Sequence, residues 1–345
     1  MRLFSTEQIS KFHPDKYADQ ISDAILDACI EQDPMSHVGC EVMVKDNTIV
    51  LGGEIKTAAI IDHESIARRV AAKLHYQCDR VIDLIGQQSQ EIDAAVMDAG
   101  VTGAGDQGMM VGYASNQSMS LLPYAFDLAN KIIKAIEHDV EHNRDTIFKG
   151  DAKTQVTTDL DQPQTMDAID TILISVCHRE DVSLEFVKKY ITELLSNAGI
   201  AVSKKTKLLI NPAGLWTIGG PTADCGLTGR KIICDQYGGF APVGGGAFSG
   251  KDPTKVDRSG AYAARELACK VLKENNLEEC TVQLAYAIGV SEPVSINIST
   301  KDGELDARIY SNIKKSDYTL DAIIKRLNLR HIKYENMAEG CHYRL

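Results

Sequence analysis

The sequence has no C-x-x-C pair, no run approaching about 18 apolar residues, and no apolar stretch behind its start, "MRLFSTEQISKFHPDK". The first absence removes the common zinc and redox spacings. Nine scattered cysteines, an odd number, then fit a reduced, cytoplasmic protein better than a disulfide framework. The other two absences argue against a membrane span and against secretion. Basic residues are also scarce: 37 Lys and Arg against 48 Asp and Glu leave a net charge of −11. No broad surface for nucleic acid or an anionic membrane is expected, so a polyanion would have to meet a local basic pocket. Trp216 is the only tryptophan, which makes its place inside a glycine-rich segment conspicuous.

What is present suits a folded chain of two or three domains, or one interwoven body: 345 residues, 44% hydrophobic and 25% charged. Three stretches have strand character: 40–55, alternating about a Lys-Asp-Asn turn; 165–178; and 280–300, broken at "SEP". Amphipathic helices are predicted at 15–32, with Ala18, Ile21, Ile25 and Ala28 on one stripe, and at 124–142, 184–199 and 257–276. Sheet and helix recur about three times without strict strand-helix alternation. The expected class is therefore α+β, three similar sheet-and-helix subdomains, at 1–99, 100–219 and 220–345, interwoven as one structural unit.

The segment "GGGAFSGKDPTKVDR" (244–258) sets bare backbone beside charge of both signs. Gly245, Gly250 and Lys251 fit a G-x-x-x-x-G-K frame, but Asp252 stands where a P-loop needs Ser or Thr. A different phosphate site, or a plain turn, remains. A helix starting over 252–258 would set Lys251 and Lys255 at i, i+4, an unfavourable pair without an anion, and would leave Asp257 surplus unless it holds magnesium. "HPDK" (13–16) opens the first helix, with Pro14 suited to its start and His13 and Asp15 at the positive end of its dipole. A simple cap competes there with a functional site. Asp106 in "GAGDQG" and Lys153 in "GDAKTQV", at the mouth of a strand, read alone as a turn and a solvated lysine. Glu41 and Glu54, on the two arms of the first hairpin, say little by themselves. Residues 210–239 hold Trp216, Asp224, Arg230 and Lys231 among seven glycines. An aromatic to stack on a base, and cations to neutralise phosphate, are favoured there over a core tryptophan between turns.

Taken in order, "HPDK.ADQISDAILDA", "LGGEI", "GAGDQG", "DAK.QVT", "INP.G....GGP..DCGLTGRKII.D.YGG" and "GGGAFSGKD..KVDRS.AYAAR" resemble the S-adenosylmethionine synthetase family over nearly the whole chain. The resemblance implies a three-subdomain fold and a cytoplasmic methionine adenosyltransferase using ATP, L-methionine, Mg²⁺ and K⁺. It also implies a homodimer or homotetramer with active sites at the dimer interface. By the same resemblance, His13 lies beside the 5′ oxygen of ATP, Asp15 and Asp257 hold Mg²⁺, and Glu41 is the K⁺ ligand. Glu54, Gln88, Asp224 and Lys255 fall on methionine-binding positions. ATP-binding positions are His13, Asp106, Asp151, Ala152, Lys153, Leu215, Trp216, Asp224, Arg230, Lys231, Ala247 and Lys251. Among these, His13, Lys153, Arg230, Lys231 and Lys251 are the catalytic set. Residues 88–98 align with a loop that gates the site.

Some residues depart from the family pattern. Ser10-Lys11-Phe12 replaces Ser-Glu-Gly before His13, which suggests altered loop closure or pH response. Leu215 replaces an arginine, Asn130 a histidine, and the tail "EGCHYRL" lacks an aromatic ending, a loss expected to act far from the chemistry. The altered Ser10-Lys11-Phe12 and Leu215 motivate an alternative, a non-catalytic regulatory paralogue assembling with an active synthetase, which the intact His13, Lys153, Lys251 and Asp257 oppose.

Overall fold

Alternation at residues 37–56 closes into a hairpin because Asp46 takes a left-handed φ of 50° between its arms. The computed structural model describes residues 1–86, 97–98, 101–301, 303–304 and 312–343, with 97–98, 101–102 and 303–304 given by backbone alone. The first third contains β1 (Leu3–Ile9), α1 (Pro14–Gln32), β2 (His37–Lys45), β3 (Thr48–Lys56), α2 (His63–Lys73), β4 (Arg80–Gly86) and β5 (Met97–Asp98). The middle contains β6 (Val101–Thr102), β7 (Gly108–Ser115), α3 (Tyr124–His142), β8 (Phe148–Asp159), β9 (Ile169–His178), α4 (Leu184–Asn197) and β10 (Lys207–Ile210). The last third contains α5 (Gly220–Ala223), β11 (Gly226–Leu227), α6 (Ile232–Asp235), α7 (Val256–Asn275), β12 (Glu279–Tyr286), β13 (Ser295–Thr300), β14 (Gly303–Glu304), α8 (Leu320–Arg326) and α9 (Tyr334–Met337).

Among the described residues three four-stranded sheets form, in the orders β1-β8-β9-β10, β11-β2-β3-β4 and β14-β13-β12-β7. The fold is α+β. Each sheet borrows a strand from elsewhere: β1 pairs with β8, β7 with β12, and β11 with β2. Helices pack on the sheets through the apolar faces expected of them, α3 on β8 and α7 on β7 and β12. The long helices fall where their periodicity puts them. However, α7 begins at Val256, so Lys255 is its N-cap and the expected helical i, i+4 pair with Lys251 does not form. Lys153 lies inside β8, paired with Ile9 and Ser175, rather than at a strand mouth.

The first helix departs most from its predicted stripe. Ala18, Ile21 and Ile25 are fully buried, but so are Asp15, Lys16, Asp19, Gln20 and Asp23 on its other faces, while Ala28 is only half-buried. A helix surrounded in this way needs a partner for every charge it carries. Those partners build the site.

Candidate active site

Pro14 occupies the first turn of α1, and the imidazole of His13, the N-cap, accepts the Asp15 N–H at Nδ1 over 3.2 Å. His13 is buried. Desolvation, with Lys153 and Lys231 adding positive charge nearby, pushes its pKa down to about 3. The ring is therefore neutral, and with Nδ1 accepting, its Nε2 carries the hydrogen. Asp15 is wholly buried; one oxygen accepts from Lys231 Nζ at 2.5 Å, and the other accepts the Leu227 N–H at 2.9 Å and lies 3.6 Å from Arg230. Burial works to raise this carboxyl, but the Lys231 and Leu227 hydrogen bonds outweigh it and hold it below the usual range. Asp151 is the opposite case. Among the described residues its buried carboxyl accepts only the Gly220 N–H, at 2.8 Å, which leaves Oδ1 without a partner there. Desolvation therefore raises it to about 6, with Asp224 and Asp15 adding to the rise and Lys153 opposing it.

A second charged group sits on the glycine-rich segment. Lys251 Nζ donates to Asp257 Oδ2 at 2.6 Å, and Asp257 Oδ1 accepts the Gly246 N–H at 2.9 Å. Asp257 is thus partnered without a metal, which removes the sequence argument that it would be surplus. Glycine is required at two places here. Gly250 has φ 80°, and a Cβ on it would lie 1.9 Å from the Cys40 carbonyl; Gly229 has φ 75°, and its Cβ would lie 2.3 Å from that of Ala247. This second approach brings the loop carrying Arg230 and Lys231 against the loop carrying Lys251. Glu41 on β2 lies within the charge field of Lys251 and Asp19, and loss of water around it pushes its carboxyl up despite the lysine.

The remaining expected residues are less tightly gathered. Glu54 is exposed but pairs through its backbone with Gly39, which in turn bridges to Lys251. Ala152 is buried in β8, its carbonyl taken by the Ser10 N–H. Trp216 is half-buried, and its Nε1 donates to the Ile218 carbonyl at 2.8 Å; the chain then runs to Gly219, packed on Asp151, with Leu215 exposed beside it. Asp106 and Asp224 are exposed; Oδ1 of Asp106 accepts the Gln107 N–H at 2.7 Å. Lys255 caps α7 by its backbone alone. Gln88 and the rest of segment 88–96 lie outside the described residues, and of the 88–98 stretch only Met97–Asp98 is placed, paired with Val101–Thr102.

The departures leave this arrangement intact. Lys11 is buried and turned onto Glu141 and Glu339. Phe12 fills space against Gly150. Asn130 accepts from Gln8 at 2.8 Å and donates to the Phe126 carbonyl at 2.9 Å. The tail is closer to the site than expected: His342 donates its N–H to the Asp235 carbonyl at 2.9 Å, and its ring lies 5.2 Å from that of Phe248 in the glycine-rich loop. Sequence reasoning missed Asp19 and Asp23, which receive the Gly229 and Gly250 N–H groups at 2.8 and 2.7 Å. The signal was present as Asp at 15, 19, 23 and 27. Such spacing ordinarily marks a solvated face, and only burial reveals the difference.

Chemically, neutralised carboxylates beside lysines on mutually touching glycine loops form a site that can exchange internal ion pairs for an anion and a hard cation. Residues 1–98, 101–216 and 218–344 match the N-terminal, central and C-terminal domains of S-adenosylmethionine synthetase. The chain is also 40% identical, over 368 aligned positions, to the S-adenosylmethionine synthase of Clostridium tetani (strain Massachusetts / E88), covering 99% of this chain and 94% of that protein. It belongs to the S-adenosylmethionine synthetase family. That membership makes it a methionine adenosyltransferase, and enzymes of the family need metal ions.

Proposed function

We propose that the chain joins ATP and L-methionine at the surface defined by His13, Asp15, Lys153, Arg230, Lys231, Lys251 and Asp257. A lone pair on methionine sulfur forms the new bond to C5′, while the C5′–O bond breaks and its electron pair leaves on triphosphate. A thioether needs no base for this attack. What needs stabilising is the departing oxygen and the charge behind it. His13 supplies the Nε2–H for that oxygen; Lys153, Arg230, Lys231 and Lys251 neutralise the chain of phosphates. Water then splits the retained triphosphate into phosphate and diphosphate. Alignment of sulfur, C5′ and oxygen contributes up to roughly 7–11 kcal/mol in well-oriented systems.

Asp15 and Asp257 are hard oxygen donors, each now occupied by a lysine and a backbone N–H, and they fit Mg²⁺. Bound there, the ion supplies countercharge to the phosphate oxygens. Glu41 fits K⁺. Glu54, Gln88, Asp224 and Lys255 are proposed for methionine, and Asp106, Asp151, Ala152, Leu215, Trp216 and Ala247 for the nucleotide, with 88–98 as the gating loop. We assign subdomains to 1–99, 100–219 and 220–345. A homodimer or homotetramer is supported by Met43, Leu84 and Met109, which stay exposed on three sheet strands. A cytoplasmic site is supported by nine cysteines that form no disulfide among the described residues. Among the described residues, no helix is long and apolar enough to cross a membrane.

The single observation carrying this proposal is the pair of lysine-neutralised carboxylates, Asp15–Lys231 and Asp257–Lys251, in which helix-borne aspartates meet lysines on loops that touch at Gly229 and Ala247. The test is incubation with ATP, methionine, Mg²⁺ and K⁺, omitting each in turn. A sulfonium product with phosphate and diphosphate, dependent on methionine, is expected; nucleotide turnover indifferent to methionine would overturn the proposal.

A further inference from the structure

Two buried carboxylates of α1 lie outside the roles assigned above, and each grips one of the phosphate-facing loops. Asp19 Oδ1 accepts the Gly229 N–H at 2.8 Å, one residue before Arg230, while its Oδ2 accepts from Lys16 at 2.9 Å. Asp23 Oδ1 accepts the Gly250 N–H at 2.7 Å, one residue before Lys251. Asp23 also takes both terminal nitrogens of Arg258 at 2.7 Å, and that arginine donates to the Lys251 carbonyl at 3.1 Å. All four of these side chains are buried.

We propose that Asp19 and Asp23 are positioning residues that fix the loops bearing Arg230, Lys231 and Lys251 at a set spacing along α1 before any substrate arrives. Carboxylates four residues apart on a helix share a face and stand about 6 Å apart along its axis. A rigid helix therefore sets the separation of two loops that have no regular structure of their own. The left-handed glycines let each N–H turn toward its carboxylate. Cations held in place this way meet a triphosphate without an ordering cost at binding. This inference rests on the reading of those loops as the triphosphate site.

Asp27 provides a matched control. It continues the same stripe and accepts two backbone N–H groups, from Tyr334 at 2.8 Å and Glu335 at 3.0 Å, but touches neither loop. Asp19→Asn and Asp27→Asn each set an amide NH₂ against a donor at nearly constant volume. Calorimetry with inorganic tripolyphosphate and Mg²⁺ is the readout, alongside separate KM values for ATP and methionine. For Asp19→Asn, tripolyphosphate affinity should fall about 5- to 20-fold and the KM for ATP should rise, with the KM for methionine within about 2-fold; these ranges assume one weakened hydrogen bond to a charged group. Asp27→Asn should stay within about 2-fold of the unmodified protein on each measure. Equal behaviour of the two variants overturns the proposal. If the unmodified protein itself does not bind tripolyphosphate, the triphosphate reading fails instead. Independently of how the variants fold, the Gly229 and Gly250 amides of the ligand-free protein should exchange with deuterium as slowly as those of α1. Exchange at open-loop rates would also sink the proposal.

Discussion

Lys251 and Asp257 are joined at 2.6 Å, so the cation proposed for phosphate and the carboxylate proposed for magnesium hold each other in the substrate-free chain. Their side chains are 22% and 18% exposed, and they border the left-handed turn at Gly250 rather than a packed core. Lys251→Ala should therefore lower turnover by about 10²-fold, the loss typical for one donor to developing negative charge. Its melting temperature should change little. A steady-state assay paired with a thermal melt checks this, and an unaltered rate removes Lys251 from the chemistry.

His13 is expected to stay neutral from pH 8 down to well below pH 5, because its pKa lies near 3. Below the ordinary value near 6.5 the unfolded chain takes up a proton that the folded chain refuses. Stability is thus lost as pH falls from about 6.5 toward 3, with a slope of up to about 1.4 kcal/mol per pH unit from this group. The His13 imidazole resonances recorded across pH 5–8 should not move in the free protein. Adding tripolyphosphate should raise the His13 pKa by offsetting Lys153 and Lys231.

Asp151 moves the other way. With its pKa raised to about 6, its ionised form destabilises the fold above that pH, and the penalty is relieved as pH falls toward the usual carboxylate value. Asp151→Asn keeps an acceptor for the Gly220 N–H and removes the charge. It should melt higher than the parent at pH 8 and nearly level with it at pH 4. A difference independent of pH counts against this environment for the carboxyl.

Glu41→Gln should raise the potassium concentration needed for half-maximal activation several-fold while leaving the β2–β3 hairpin intact, since its backbone pairs with Gly52 whatever the side chain. Titrating K⁺ against rate, with circular dichroism as a control on folding, settles the assignment.

The helices at 14–32, 124–142, 184–197 and 256–275 were readable because their apolar spacing is long and regular. The hairpin at 37–56 was readable from alternation around its turn. β1 and β7 were not, because each pairs with a strand far along the chain, and "LFSTEQI" or "GMMVGYAS" gains strand character only from that partner. At the site, His13 and Pro14 disclosed a helix start from local sequence alone. The link between Asp19 and Gly229 could not be foreseen, since both residues look like ordinary surface punctuation until the fold buries them. The same applies to Lys11, which looked like a charge beside His13 and is spent on Glu141 and Glu339.

The exchange of strands between sheets also governs how the chain can be made and dismantled. During synthesis β1 must wait, with no sheet to join, until residues 148–159 have left the ribosome, and β7 waits longer for 279–286. No third of the molecule can be excised as a free-standing module, because each would carry away a strand that another needs and leave a gap behind. A protease nick between sheets should therefore yield fragments that remain clasped together, parting only when the whole body melts.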